Sequence, residues 1–86
     1  MSWVVHIPKR VKKQIKRLPI RDRERILNAL RDFVIDPWLG DIAKIGERDD
    51  LWRRRVGNYR IFYSIRTGAG VVEIKEVLRR ASNIYQ

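Results

Sequence analysis

Leu51-Trp-Arg-Arg-Arg-Val-Gly-Asn-Tyr-Arg-Ile-Phe-Tyr-Ser-Ile-Arg66 is the stretch whose alternation decides the fold. It predicts two β-strands joined by a tight turn at Gly57-Asn58, a dipeptide that tolerates positive φ. Successive side chains of a strand point to opposite faces. Tyr59, Ile61, Tyr63 and Ile65 therefore form an apolar row and mark the core side, leaving Arg60, Phe62, Ser64 and Arg66 opposite. If Trp52 and Val56 share that core side, then Arg53, Arg55 and Arg60 converge on the other face, with Phe62 beside Arg60 as a candidate floor. Arg54 fits least well, because it falls on the core side, and it is expected to snorkel past the edge.

No carboxylate interrupts the stretch. Three guanidinium groups on one patch repel one another, and the repulsion is relieved by an anion whose oxygens match the planar fork of arginine. A solvated strand face is the competing explanation.

Working outward, 86 residues make one small domain, 1–86, with a thin core and no room for a second. The absence of cysteine excludes disulfides and thiolate metal sites and suits a reducing cytoplasm. No stretch approaches the roughly 20 apolar residues that cross a membrane, so a soluble cytoplasmic protein is expected, with no membrane partner. Twenty Lys and Arg against ten Asp and Glu give a net charge of +10, while 44% hydrophobic residues still call for a packed core. A field of that sign favours polyanions, nucleic acid first among them.

Ser2 to Ile7 predicts a short strand ended by Pro8. From Lys9 to Leu18, Val11, Ile15 and Leu18 make one helical stripe, and Lys12, Lys13 and Lys16 lie on a strongly basic remainder. After Pro19, Ile26, Leu27, Leu30, Phe33 and Val34 mark a second helix, and the short link predicts an antiparallel hairpin. Trp38 to Asp50 is expected to be an ordered loop. Beyond the turn at Thr67–Gly70 comes a last strand, with Val72 and Ile74 inward and Val71, Glu73, Lys75, Val77 and Arg79 outward. The predicted class is α+β, a strand, a helical hairpin and a three-stranded antiparallel meander in the order β-α-α-β-β-β. His6, alone in its strand, and the adjacent Asp49-Asp50 pair are expected to be structural or solvated, and no metal or other cofactor is called for.

The strand, the basic hairpin with Leu18-Pro19, the Trp52-Arg-x-Arg-Val-Gly-Asn-Tyr-Arg-Ile-Phe-Tyr63 motif and the closing Val77-x-Arg-Arg…Tyr85 together resemble the RelE/ParE superfamily of toxins from type II toxin–antitoxin systems. The resemblance runs over essentially the whole chain and is most specific in the hairpin. Its RelE branch implies a ribosome-dependent endoribonuclease that cleaves messenger RNA and inhibits translation. It places the working residues at Arg53, Arg55, Arg60, Tyr85 and the late arginine. Alternation prefers Arg79 for the last of these, as a substrate contact, and adjacency leaves Arg80 open as a catalytic one. Phe62, Lys12, Lys13 and Lys16 are the further substrate-binding candidates. The ParE branch implies instead a non-catalytic poison of DNA gyrase, and an inactive basic RNA-binding module is the third possibility.

The chain departs from some relatives in carrying arginines where they carry lysines, and its single histidine lies in the first strand. Arginine does not readily surrender a proton, so Tyr85 is the best candidate for proton transfer. The resemblance also implies partners: the ribosome with its mRNA, and a cognate antitoxin chain in a hetero-oligomer.

Overall fold

The computed structural model describes residues 2–46 and 50–80. In chain order the elements are β1 (Val4–His6), α1 (Lys9–Lys16), α2 (Ile20–Ile35), β2 (Ile42–Lys44), β3 (Leu51–Val56), β4 (Tyr59–Arg66) and β5 (Val71–Arg79). The strands form one sheet in the order β1-β5-β4-β3-β2. β1 lies parallel to β5, and every other pairing is antiparallel. The first and last strands are thus neighbours, and the helical hairpin between β1 and β2 covers one face of the sheet.

The helices bury the stripes their periodicity predicts. Val11 and Ile15 of α1 meet Ile26, Leu30 and Phe33 of α2 over Tyr59, Ile61, Tyr63 and Ile65 of β4 and Val72 and Ile74 of β5. The Phe33 and Tyr63 rings stack with centroids 4.4 Å apart, and the Tyr63 hydroxyl donates to the Pro37 carbonyl at 3.1 Å. Burial of that phenol raises its pKa well above the ordinary value, with only a partial offset from Arg54. Prolines set both helix starts: Pro8 and Pro19 are extended at the N-cap positions, where the helix needs no N–H from them. Between β3 and β4, Gly57 turns the chain with φ +57°.

Three expectations need correction. The loop after α2 contains a short fifth strand, β2, with Ile42 opposite Arg54 and Lys44 opposite Trp52. Three residues are too few for alternation to declare itself, and the strand exists because the outer edge of β3 supplies its partners. Arg54 does not snorkel past the edge of the core. Its side chain is only 14% exposed; one Nη meets Asp32 of α2 at 3.0 Å, and the guanidinium lies 5.7 Å over the Phe33 ring.

The third correction concerns β5. Its register against β4 shifts between Phe62 and Tyr63: Tyr63 pairs with Ile74, but Phe62 pairs with Glu76. Lys75 is the extra residue of a β-bulge, which reverses the parity of everything after it. Val77 is therefore buried in the core rather than facing outward, and Arg79 lies opposite Tyr59 on the helix side. The bulge sits where β5 outruns β1, and α1 takes over the open edge. Arg10 donates to the Lys75 carbonyl at 2.9 Å, and the Val77 N–H donates to Gln14 Oε1 at 3.4 Å.

Candidate functional site

The pairing of β3 with β4 sets Arg53 opposite Phe62 and Arg55 opposite Arg60. Trp52, Arg54 and Val56 match Tyr63, Ile61 and Tyr59 and turn to the helices, so Arg53, Arg55 and Arg60 share the face turned away from them. Directly opposed residues of an antiparallel pair have Cβ atoms about 4.5–5.5 Å apart, a distance at which like charges destabilise the pair. None of the ion pairs among the described residues includes Arg53, Arg55 or Arg60. Arg53 Nη1, Arg55 Nε and Arg60 Nε are buried without a hydrogen-bond partner; Arg23 Nε and Arg54 Nε are too, but those two guanidinium groups are held elsewhere, by the Lys16 and Leu18 carbonyls and by Asp32. Donors of cationic groups left unpaired out of water are costly, and they identify where an acceptor belongs.

The acids of β5 do not relieve them. Glu73 is held by Lys75 at 3.3 Å and by Arg66 at 3.1 Å, and its carboxyl pKa is lowered, chiefly by the Lys75 hydrogen bond. Glu76, in register with Phe62, is engaged from α1, with Gln14 at 3.4 Å and Arg10 at 3.8 Å. Negative charge is thus drawn to the far end of the face and to the α1 edge, and the end near the Gly57 turn stays positive.

The bulge decides which late arginine joins this end. The Arg80 N–H donates to the Asn58 carbonyl at 2.6 Å, which carries the ladder one residue past β5. Alternation from Leu78, opposite Arg60, then places Arg80 on the arginine face. Arg79 is instead on the helix side, close enough to Tyr59 to pull its phenol pKa down. Burial and the hydrogen bond to Asp22 outweigh that pull, and the Tyr59 pKa is raised overall. That bond, from Tyr59 hydroxyl to Asp22 Oδ2 at 2.9 Å, ties the start of β4 to the first turn of α2.

Lys12, Lys13 and Lys16 are exposed on α1, in the layer on the opposite side of the sheet from Arg53, Arg55 and Arg60. Lys13 lines a groove of about 440 Å³ with Lys9, Arg10, Gln14 and Arg17, a basic surface separate from the arginine face. Phe62 is half-buried on the arginine face itself, opposite Arg53. His6 is exposed on β1, two strands from β4. Tyr85 falls outside the described residues. Among the described residues no group of His, Cys, Asp or Glu side chains is placed to hold a metal, and no helix is long and apolar enough to cross a membrane.

Leu78 is the site-face residue that strand periodicity misses. A signal was present: the core residues of β5 fall at Val72, Ile74 and Val77, and the lengthened last interval, filled by Lys75-Glu76, marks the extra residue. The Arg54–Asp32 pair carries no such signal, since 22 residues separate its members.

A helical hairpin on one face of a largely antiparallel sheet is an architecture that this chain shares with solved RelE toxins of toxin–antitoxin systems. The family described as ParE toxin of type II toxin-antitoxin system, parDE, matches residues 5–84, and the chain belongs to this family, within the RelE/ParE superfamily. A relative from Methanocaldococcus jannaschii bearing the name RelE1 is 28% identical over 83 residues, covering 93% of this chain and 92% of its own. The archaeal RelE–RelB complex from Pyrococcus horikoshii is similar with a TM-score of 0.83 and 28% identity, over 96% of this chain and 100% of that chain. The isolated Escherichia coli RelE toxin shares the fold with a TM-score of 0.81 at 18% identity, over 96% of this chain and 89% of that one. The chain is accordingly a RelE-like toxin of a type II toxin–antitoxin system.

Proposed function

We propose that this toxin is a ribosome-dependent endoribonuclease that cleaves messenger RNA and so inhibits translation. The observation that carries the proposal is the set of unpaired buried donors on Arg53, Arg55 and Arg60, gathered on one face without a carboxylate partner. In the reaction the 2′-hydroxyl of the RNA attacks the adjacent phosphorus, the bond to the 5′-oxygen breaks in line, and the products are a 2′,3′-cyclic phosphate and a 5′-hydroxyl. Arg53, Arg55, Arg60 and Arg80 stabilise the charge that gathers on the pentavalent phosphorane. Tyr85 is the candidate for moving the proton between the attacking and leaving oxygens. Arginines are poor bases, so the chemistry depends on positioning, which a ribosome-bound codon supplies.

The basic groove beside Lys13 faces away from this site and is suited to phosphates of ribosomal RNA. Lys12 and Lys16 add to the same basic surface. A cognate antitoxin, as in the RelE–RelB complexes this fold resembles, is the partner that restrains the toxin. The family match to ParE keeps one other reading alive, a toxin acting on DNA gyrase without catalysis.

Induced expression in a bacterial host, wild type beside Arg60→Ala, with primer-extension mapping of transcripts, decides between them. Growth arrest with codon-positioned cuts, both lost in a folded Arg60→Ala, is the expected result. Arrest with DNA damage and no cuts transfers the assignment to gyrase. Efficient cleavage of naked RNA by the purified chain contradicts the dependence on the ribosome.

A further inference from the structure

Leu78 is the one exposed apolar residue of β5, where Val71 is half-buried. Leu78 is 46% exposed, whereas Val72, Ile74 and Val77 are buried. It lies directly opposite Arg60, which in turn lies opposite Arg55, so one row across the sheet reads Arg55, Arg60, Leu78. The next row reads Arg53, Phe62, Glu76, which puts Phe62 on the diagonal from Leu78, about 7 Å away in a regular ladder. An apolar surface therefore adjoins the phosphate-seeking end of the arginine cluster.

The bulge at Lys75 is responsible. An unbroken β5 would turn Leu78 to the core and Val77 outward, so the extra residue puts a branched apolar side chain beside the arginine cluster.

Resting on the nuclease reading of this face, we infer that Leu78, with Phe62, is a nucleobase-contacting surface: it receives one unstacked base of single-stranded RNA while the arginines hold the flanking phosphates. Charge complementarity favours this occupant. A nucleotide presents an anionic phosphate and an uncharged flat base within one residue of chain, and the row Arg60–Leu78 offers a cation and an apolar contact at neighbouring positions. A residue touching a base and one touching a phosphate are separable by experiment, because only the second contributes to the salt dependence of binding.

The test is the affinity of the full chain for a short single-stranded RNA and for the same RNA with an abasic nucleotide at each position in turn, read by fluorescence anisotropy over a range of salt. Leu78→Ala is expected to weaken binding of intact RNA roughly three- to tenfold. The salt slope should stay unchanged, and the loss should vanish on one of the abasic oligonucleotides. Arg60→Ala serves as the contrast and is expected to flatten the slope by about one phosphate contact. Equal affinity of wild type and Leu78→Ala, or an equal loss on every abasic RNA, overturns the inference. Unchanged RNA affinity together with weakened binding of the cognate antitoxin overturns it in favour of a protein contact. A wild-type chain that binds no single-stranded RNA overturns this inference alone, whereas the nuclease reading stands or falls on the transcript mapping in the induced host.

Discussion

Arg53, Arg54 and Arg55 are consecutive and chemically identical, yet they have different fates. Arg54 is enclosed by α2, where Asp32 neutralises it, and the Gly40 backbone packs so close that an added Cβ would lie 2.9 Å from its Nε. Arg54→Ala is expected to lower stability by about 1–2 kcal/mol, discounted from a fully buried pair because Asp32 is 39% exposed. For a domain of this size that is a fall in melting temperature of roughly 4–16 °C by calorimetry. The same substitution at Arg53 or Arg55 removes unpaired donors and a repulsion, so it should leave stability unchanged or raise it while reducing anion binding. Tyr59 and Tyr63 make a second residue-scale test. Both phenol pKa values are raised in the folded chain, so the neutral forms are favoured. Their contribution to stability is complete below the unfolded value of about 10 and is lost as pH rises through the folded values. Ultraviolet titration should find their ionisation coincident with alkaline unfolding, and Tyr63→Phe should shift that unfolding to higher pH.

At the scale of the element, the bulged β5 does the most to define the site. Before Lys75 the strand alternates as its pattern predicts; after it, Val77 is core and Leu78 is surface. Val77→Ser is therefore expected to cost about 2–4 kcal/mol, from lost burial and an enclosed hydroxyl, while Leu78→Ser stays within about 0.5 kcal/mol. Urea denaturation of the two variants checks the parity, and the reverse ranking would mean that the bulge is misplaced. The helices were more legible than this strand, because Val11 and Ile15, and then Ile26, Leu30 and Phe33, repeat without interruption. β2 was not legible, since Ile42–Lys44 owes its conformation to β3.

Across the whole molecule, a chain of net charge +10 carries two separate basic surfaces, the arginine face and the α1 groove. Self-repulsion of this kind lowers the stability of the free toxin and is relieved by whatever polyanion binds. Melting temperature should therefore rise more in sulfate or phosphate than in chloride of equal ionic strength. The increment should shrink when Arg55 and Arg60 are replaced together by serine. An equal rise in the wild type and the double variant would assign the effect to general screening rather than to a site.

The amino-acid sequence by itself determined the α+β class, the arginine hairpin with its turn at Gly57, and the separation of Tyr59, Ile61, Tyr63 and Ile65 from Arg53, Arg55 and Arg60. These follow from local periodicity and turn chemistry, which operate over a few residues. Tertiary structure alone decided that Arg54 pairs with Asp32, that β1 lies beside β5, and that Arg80 rather than Arg79 shares the face of Arg60. Each of those depends on register between segments distant in the chain. A one-residue shift there exchanges the two faces of a strand, and residues 71–80 read alone contain no partner against which to measure it.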